Sequence, residues 1–254
     1  MTGRHARTRL TAPAALVLVS ALTGLVAGAP DDPAARITRR LPFPPGGRIL
    51  IDTTNGDIEI EGWSQPAVDL DVRKVGESSD DRTLVPIDVQ STADELRVSS
   101  VFPPFAPHLR AAVHYRLRVP ADVDLKLLKT RKGRVSVEGV SGRAVVQTEE
   151  GPVSVTKFAG ALEVTTANGE IDAEVTGPAS HVVLDSFNGR ILLRLPARFR
   201  AHYALSTLNG TIRTDLPIVV QHVFGPNIAH AAGDVEEPLV RLTSVNGDIL
   251  VRTR

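Results

Sequence analysis

The chain contains no cysteine, and that absence closes several routes at once. Disulfides, thiolate metal sites, a cysteine nucleophile and a lipid-modified cysteine are all excluded. Aromatic residues are scarce at 4%, with a single tryptophan, which leaves little to line a sugar groove. Neither sign of charge is in excess, because Lys plus Arg and Asp plus Glu both total 29. A nucleic-acid binder carries a basic surplus, so no nucleic acid is expected as a partner. No window sustains the apolar period of a helix. What remains is 254 residues, 42% hydrophobic and 23% charged, the composition of a folded chain. That length suits one large all-β domain or two small ones.

The first ten residues carry Arg4, Arg7 and Arg9 with no acid. The apolar run "PAALVLVSALTGLVAGA" follows, and small residues end it before Pro30. Basic, apolar and small-residue regions in that order predict a secretory signal peptide over residues 1–28. Cleavage after Gly28 is favoured, since cleavage after Ala29 would leave Pro30 first. An uncleaved anchor is the alternative, because the run approaches the ~20 residues that span a bilayer. No later segment is apolar enough to cross. The expected location is therefore the periplasm, the cell surface or the medium. Removing the three leader arginines lowers the basic total from 29 to 26 against 29 acidic residues, so the mature chain is mildly acidic. Residues 29–47 are rich in Pro and Gly and read as a flexible tether.

Beyond the tether a motif recurs. Aligned on glycine, it reads "NGDIEI", "KGRVSV", "EGPVSV", "NGEIDA", "NGRILL", "NGTIRT" and "NGDILV". The anchors are Gly56, Gly133, Gly151, Gly169, Gly189, Gly210 and Gly247, spaced 77, 18, 18, 20, 21 and 37 residues apart. Asparagine precedes five of them, as Asn55, Asn168, Asn188, Asn209 and Asn246. In each regular unit an alternating strand ends in Ser or Thr, turns at the glycine and continues as a second alternating strand. Such alternation marks half-buried β-strands.

A row of β-hairpins and a β-solenoid could both use this pattern, since Asn-Gly is a strong hairpin signal. The near-constant period selects the solenoid, in which each unit is one coil stacked ~4.8 Å from the last. The expected fold is all-β, a parallel β-helix or β-solenoid with an irregular β-rich part over 48–120. That part extends or caps the regular coils of 121–254, and residues 214–237 are expected to leave the stack and return. The twelve Asn and Gly positions named above are assigned as structural corners. Glycine would take positive φ there, asparagine would tolerate it, and stacked asparagine amides would hydrogen-bond along the axis.

The run from "VHYRLRVP" at 113 to "EEGPVSV" at 155 resembles the bacterial putative-adhesin family of β-strand-repeat proteins, related to head-GIN-type domains. "NGDIEIEGW" and "VRLTSVNGDILV" are similar to that family's first and last motifs, so the resemblance covers about residues 45–254. It implies a single-stranded, right-handed β-helix and no established chemistry. Lys132 and Glu150 depart from it, standing where Ser or Asn is usual.

Chemistry finds little purchase. The histidines His5, His108, His114, His181, His202, His222 and His230 show no zinc-ligand spacing. No nucleophile elbow or phosphate-cradling loop occurs. Calcium rolls need a carboxylate at every turn, whereas Arg134 and Arg190 follow two of the glycines here. Neither a metal, a cofactor nor a catalytic residue is assigned. His222 and His230 share the 214–237 segment and are the one pair placed to make a weak site. The function expected is a non-enzymatic envelope module, an adhesin-like scaffold that meets an envelope protein, a glycan or a lipid surface. A self-assembling module growing end to end is the first alternative. A polysaccharide-acting β-helix enzyme is the second; it would require facing carboxylates, for which Glu149, Glu150 and Glu170 are the candidates.

Overall fold

A computed structural model describes residues 35–104, 109–222, 227–231 and 237–254. The expected leader and the first part of the tether, 29–34, lie outside the described residues. In chain order the strands are β1 (Arg36–Pro42), β2 (Arg48–Asn55), β3 (Ile58–Trp63), β4 (Ala67–Gly76), β5 (Ile87–Ser91), β6 (Glu95–Ser100) and β7 (Ala111–Pro120). Next come β8 (Asp122–Lys132), β9 (Val135–Glu138), β10 (Ser141–Glu150), β11 (Val153–Asn168), β12 (Ile171–Val175), β13 (His181–Asn188) and β14 (Ile191–Leu195). The last are β15 (His202–Thr207), β16 (Ile212–Thr214), β17 (Val219–His222), β18 (Asn227–Ala231), β19 (Leu239–Ser244) and β20 (Ile249–Thr253). One five-residue helix, α1 (Ser79–Thr83), begins at a capping box between Ser78 and Asp81. No helix among the described residues is long and apolar enough to cross a membrane.

Each coil lays one strand on each of two faces. On the first face β6, β2, β8, β10, the second half of β11, β13, β19 and β15 pair in parallel, in that order. On the second face β7, β3, β9, the first half of β11, β12, β14, β20 and β16 do the same. Antiparallel strands close three of the four edges: β5 on β6, β4 on β7 with β1 on β4, and the β17–β18 hairpin on β15. The result is an all-β, solenoid-like stack.

Alternation fixes which side chains enter the core. Ile49, Ile51 and Thr53 of β2 are buried while Arg48, Leu50, Asp52 and Thr54 face out. Register then stacks like on like. Ile58, Val135, Val153, Ile171, Ile191, Ile249 and Ile212 form one buried column on the second face. Every member is β-branched, the side-chain shape that suits a strand and packs closely against its copies above and below.

Three expectations change. The tether is not wholly free, because residues 36–42 form β1, which pairs along its whole length with β4. Phe43 beyond it is buried. Alternating Ile37 and Leu41 pack on the core, and the arginines of this outermost strand, paired as Arg36–Asp71 and Arg40–Asp69, discourage further strand addition. The part 48–120 is not wholly irregular, since β2–β3 and β6–β7 are coils in their own right. The segment 214–237 does not simply leave the stack. Its hairpin covers the end of β15, and the chain then returns so that β19–β20 enters between β13–β14 and β15–β16.

The glycines set how closely the coils stack. A Cβ built on Gly133 would lie 2.1 Å from the carbonyl oxygen of Gly56. The same collision links Gly151 to Gly133, Gly169 to Gly151, Gly189 to Gly169, Gly247 to Gly189 and Gly210 to Gly247, at 2.0–2.2 Å. Only Gly56, Gly133 and Gly151 of this ladder have positive φ, and among the described non-glycine residues Lys157 alone does. Turn conformation therefore accounts for three of the seven corners; at the other four, glycine is required because the backbones of successive coils nearly touch.

Gly189→Ala is accordingly expected to cost more than about 4 kcal/mol or to prevent folding. Gly46→Ala, at φ +75° with open space around it, should cost only about 1–2 kcal/mol. Urea unfolding of both proteins compares them, and equal losses would mean that backbone conformation, not close approach, sets the requirement.

Candidate functional site: the groove beside the glycine corner

The corner between the faces is built from columns, each taking one residue per coil. Thr53, Thr130, Thr148, Thr166, Ser186, Ser244 and Thr207 make a buried hydroxyl column. The hydroxyls of Thr130, Ser186, Ser244 and Thr207 donate to the carbonyls of Gly56, Gly169, Gly189 and Gly247 at 3.2, 3.2, 3.2 and 2.8 Å. At these four rungs the strand-ending Ser or Thr satisfies the backbone acceptor exposed by the turn; Thr53 instead bonds the Ser100 hydroxyl at 2.7 Å, and the buried hydroxyls of Thr148 and Thr166 have no partner among the described residues.

Next to each glycine stands Asn55, Lys132, Glu150, Asn168, Asn188, Asn246 or Asn209, in stack order. Asn188 donates to Asn168, Asn246 to Asn188 and Asn209 to Asn246, at 2.7, 2.7 and 2.8 Å. Lys132 and Glu150 interrupt the amides with a salt bridge of 2.9 Å, and Asn55 turns away to donate to the Ala111 carbonyl. Asn246 entering between Asn188 and Asn209 is the side-chain counterpart of the inserted coil. After each glycine, Arg190 pairs with Glu170 at 3.0 Å, and Asp248 accepts from the amide and hydroxyl of Thr211 at 2.8 and 2.9 Å. Those two bonds, the amide first, hold the Asp248 carboxyl below its ordinary range.

Two outward columns do little such structural work; among their described residues Asp185 alone is paired, with Arg241 at 3.4 Å. They lie four and two residues before each glycine. The first runs Asp52, Lys129, Gln147, Thr165, Asp185, Thr243 and Ser206. The second runs Thr54, Arg131, Glu149, Ala167, Phe187, Val245 and Leu208 along ~29 Å of axis, at ~4.8 Å per coil. Their first four rungs enclose a groove of about 340 Å³, floored by Thr53, Thr130 and Thr148. β8 carries an extra residue at 126–127 relative to both neighbours, a bulge of the kind that re-aims adjacent side chains.

Asp52 faces Lys129 in register, and Arg131 lies one rung from Glu149. Yet among the described residues Asp52, Lys129, Arg131, Gln147 and Glu149 make no hydrogen bond or ion pair through their side chains. Immediately beside them Lys132 and Glu150 do pair. The groove thus presents two cations on one strand, flanked by a carboxylate on one side and a carboxylate and an amide on the other.

The remaining expected residues are dispersed. Glu149, Glu150 and Glu170 fall in three different columns, the last two already paired with Lys132 and Arg190. His114 contacts Asp57 at 3.3 Å and His181 contacts Glu163 at 3.1 Å. That hydrogen bond from His181, with help from Arg143, keeps the Glu163 carboxyl low. His5 and His108 lie outside the described residues. Backbone register sets His222 opposite Asn227 and His230 opposite Val219, at the two ends of the hairpin. Among the described residues no three potential ligands gather for a metal. Trp63 donates to the Ala67 carbonyl at 2.8 Å and lies 5.2 Å from the Arg40 guanidinium, as a packing residue does.

A family model described as Toastrack DUF4097 matches residues 47–252. Three solved structures align over most of the chain. A "putative cell adhesion protein" of Clostridium sporogenes is 11% identical at a TM-score of 0.49, covering 86% of this chain and 100% of that one. A "putative adhesin" of Bacteroides fragilis is 13% identical at 0.36, covering 86% and 97%. A "putative lipid binding protein" of Parabacteroides distasonis is 11% identical at 0.32, covering 87% and 98%. No curated protein matches.

Two outcomes follow from the columns. Asn188→Ala, which removes a partner from both Asn168 and Asn246, should cost about 1 kcal/mol by denaturant titration; a neutral result would make the amide ladder incidental. Asp248, with its lowered pKa, stabilises the Thr211 turn above the ordinary carboxylate value and loses that effect as pH falls through its folded pKa. Hydrogen exchange at the Thr211 amide should therefore lose protection on acidification below about pH 4, and Asp248→Asn should remove this step.

Proposed function

The chain belongs to the Toastrack DUF4097 family, and from that premise we propose that it is a non-enzymatic binding module of the cell envelope, an adhesin-like scaffold whose recognition element is the corner groove. The observation that carries this reading is the set of unpartnered side chains, Asp52, Lys129, Arg131, Gln147 and Glu149, beside columns in which most rungs are paired. Polar groups left free on a rigid surface are available to a ligand without first breaking internal contacts.

Export fits the same reading: the leader over residues 1–28 would carry the chain out. A right-handed coil is the hand that parallel crossovers take. The partner would be an envelope protein, a glycan or a lipid surface. Antiparallel strands at both ends favour a single module over end-to-end growth. Dispersal of Glu149, Glu150 and Glu170 argues against hydrolysis by a carboxylate pair.

Sedimentation of the full chain with envelopes from the native host tests the assignment. Saturable binding is expected, weakened about tenfold or more in Lys129→Gln/Arg131→Gln, a change of charge with little change of fold. Equal retention of both proteins would remove the groove as the binding element.

A further inference from the structure

The groove has a pattern of charge and a direction. Lys129 and Arg131 point outward from one strand, two residues and so ~7 Å apart. Two unpaired cations at that separation suit an anion with several oxygens, a phosphate above all. Asp52 lies one rung to one side, ~4.8 Å away, and Gln147 with Glu149 one rung to the other. A ligand with an ammonium one rung from its phosphate would satisfy both charges. No aromatic residue lines the groove, so the cage that receives a quaternary ammonium is missing, whereas carboxylate and amide oxygens accept well from a primary ammonium.

The same column then changes character. Past Glu149 it continues as Ala167, Phe187, Val245 and Leu208, with Phe187 55% and Leu208 48% exposed. Ala167 to Leu208 covers three rungs, ~14 Å, an unbroken apolar stripe that begins beside the charged patch. Single exposed apolar residues need no account, but a row aligned with a charged groove is the complement of an amphiphile.

We propose that the groove takes a phospholipid with a primary-ammonium headgroup, its acyl chain laid along Ala167, Phe187, Val245 and Leu208; this rests on the binding-module reading above. The phosphate meets Lys129 and Arg131. Because the acyl chain runs toward Leu208, the ammonium meets Asp52 on the opposite side, and the glycerol oxygens lie by Gln147 and Glu149, where the one free hydroxyl of a lysolipid donates to the Glu149 carboxylate.

Calorimetric titration of the full chain with lysophosphatidylethanolamine carrying a twelve-carbon chain, kept below micelle formation, tests this. The controls are glycerophosphoethanolamine, inorganic phosphate and the matching lysophosphatidylcholine. The lysolipid should bind at least about tenfold tighter than glycerophosphoethanolamine and inorganic phosphate, and about fivefold tighter than the choline lipid. Lys129→Gln/Arg131→Gln should weaken it about tenfold, and Phe187→Ser/Leu208→Ser should reduce it to the affinity of the bare headgroup. All proteins keep residues 1–34, so any binding there cancels between variants. Affinity unchanged by either double variant, inorganic phosphate or the choline lipid binding as tightly, or no binding at all would overturn the proposal. If envelope sedimentation still depends on Lys129 and Arg131 while the lysolipid fails, only the lipid assignment falls; if both fail, the binding-module reading falls with it.

Discussion

The whole stack hangs on the approach of one glycine backbone to the next. With the carbonyl of each coil 2.0–2.2 Å from where a Cβ would sit on its neighbour, the corner has no slack. Coils can then lie at sheet spacing along both faces, and the buried hydroxyl of Thr130, Ser186, Ser244 or Thr207 can reach the glycine carbonyl below. The inward columns follow, because fixing the corner fixes the register, and a one-residue slip would turn every Val, Ile and Leu toward solvent. Hydrophobic burial supplies the driving force, but the glycine ladder decides which segments may be neighbours.

The order of coils is not that of the chain. At one end β6–β7 lies outside β2–β3, although it comes later in the chain; at the other, β15–β16 lies outside β19–β20, although it comes earlier. The first and last coils of the sequence therefore have a neighbour on each side instead of an open edge. Terminal segments fray when little covers them. Here each is held between two coils, and three of the four edges are left to antiparallel strands, while β16 pairs with β20 alone among the described strands.

Much of this was legible in the sequence. The seven aligned glycines are those whose backbones approach one another in the ladder, and alternation marks most of the strands. The order of stacking was not legible, because period alone assumes that consecutive units touch; "NGTIRT" and "NGDILV" are equally good neighbours for "NGRILL", and only packing at the hairpin end separates them. The reason for glycine was half legible. Turn chemistry explains Gly56, Gly133 and Gly151, whereas close approach at Gly169, Gly189, Gly210 and Gly247 is a property of two coils and is written in neither alone. β1 was hidden because Pro42, Pro44 and Pro45 suggest a tether, and its strand character comes from β4. The groove went unseen for a simpler reason: attention to the motif's fixed residues passes over the variable ones at offsets −4 and −2.

Those offsets are where recognition can reside. Glycine, the residue before it and the Ser or Thr three before it are tied to the next coil, and the inward apolar positions are tied to the core. Substitution at any of them disturbs the stack. Offsets −4 and −2 face solvent and can vary without that cost, so any specificity along this corner is set there. Order of insertion matters as much as residue identity. Phe187 and Leu208 belong to coils consecutive in the chain, but Val245 of the last coil comes between them and lengthens the apolar run by a rung. Had the chain stacked in sequence, β19–β20 would have lain outside β15–β16 and its Arg241 would no longer reach Asp185, an ion pair that now stands across the insertion. The inserted coil thus closes the stack and composes its surface in the same step.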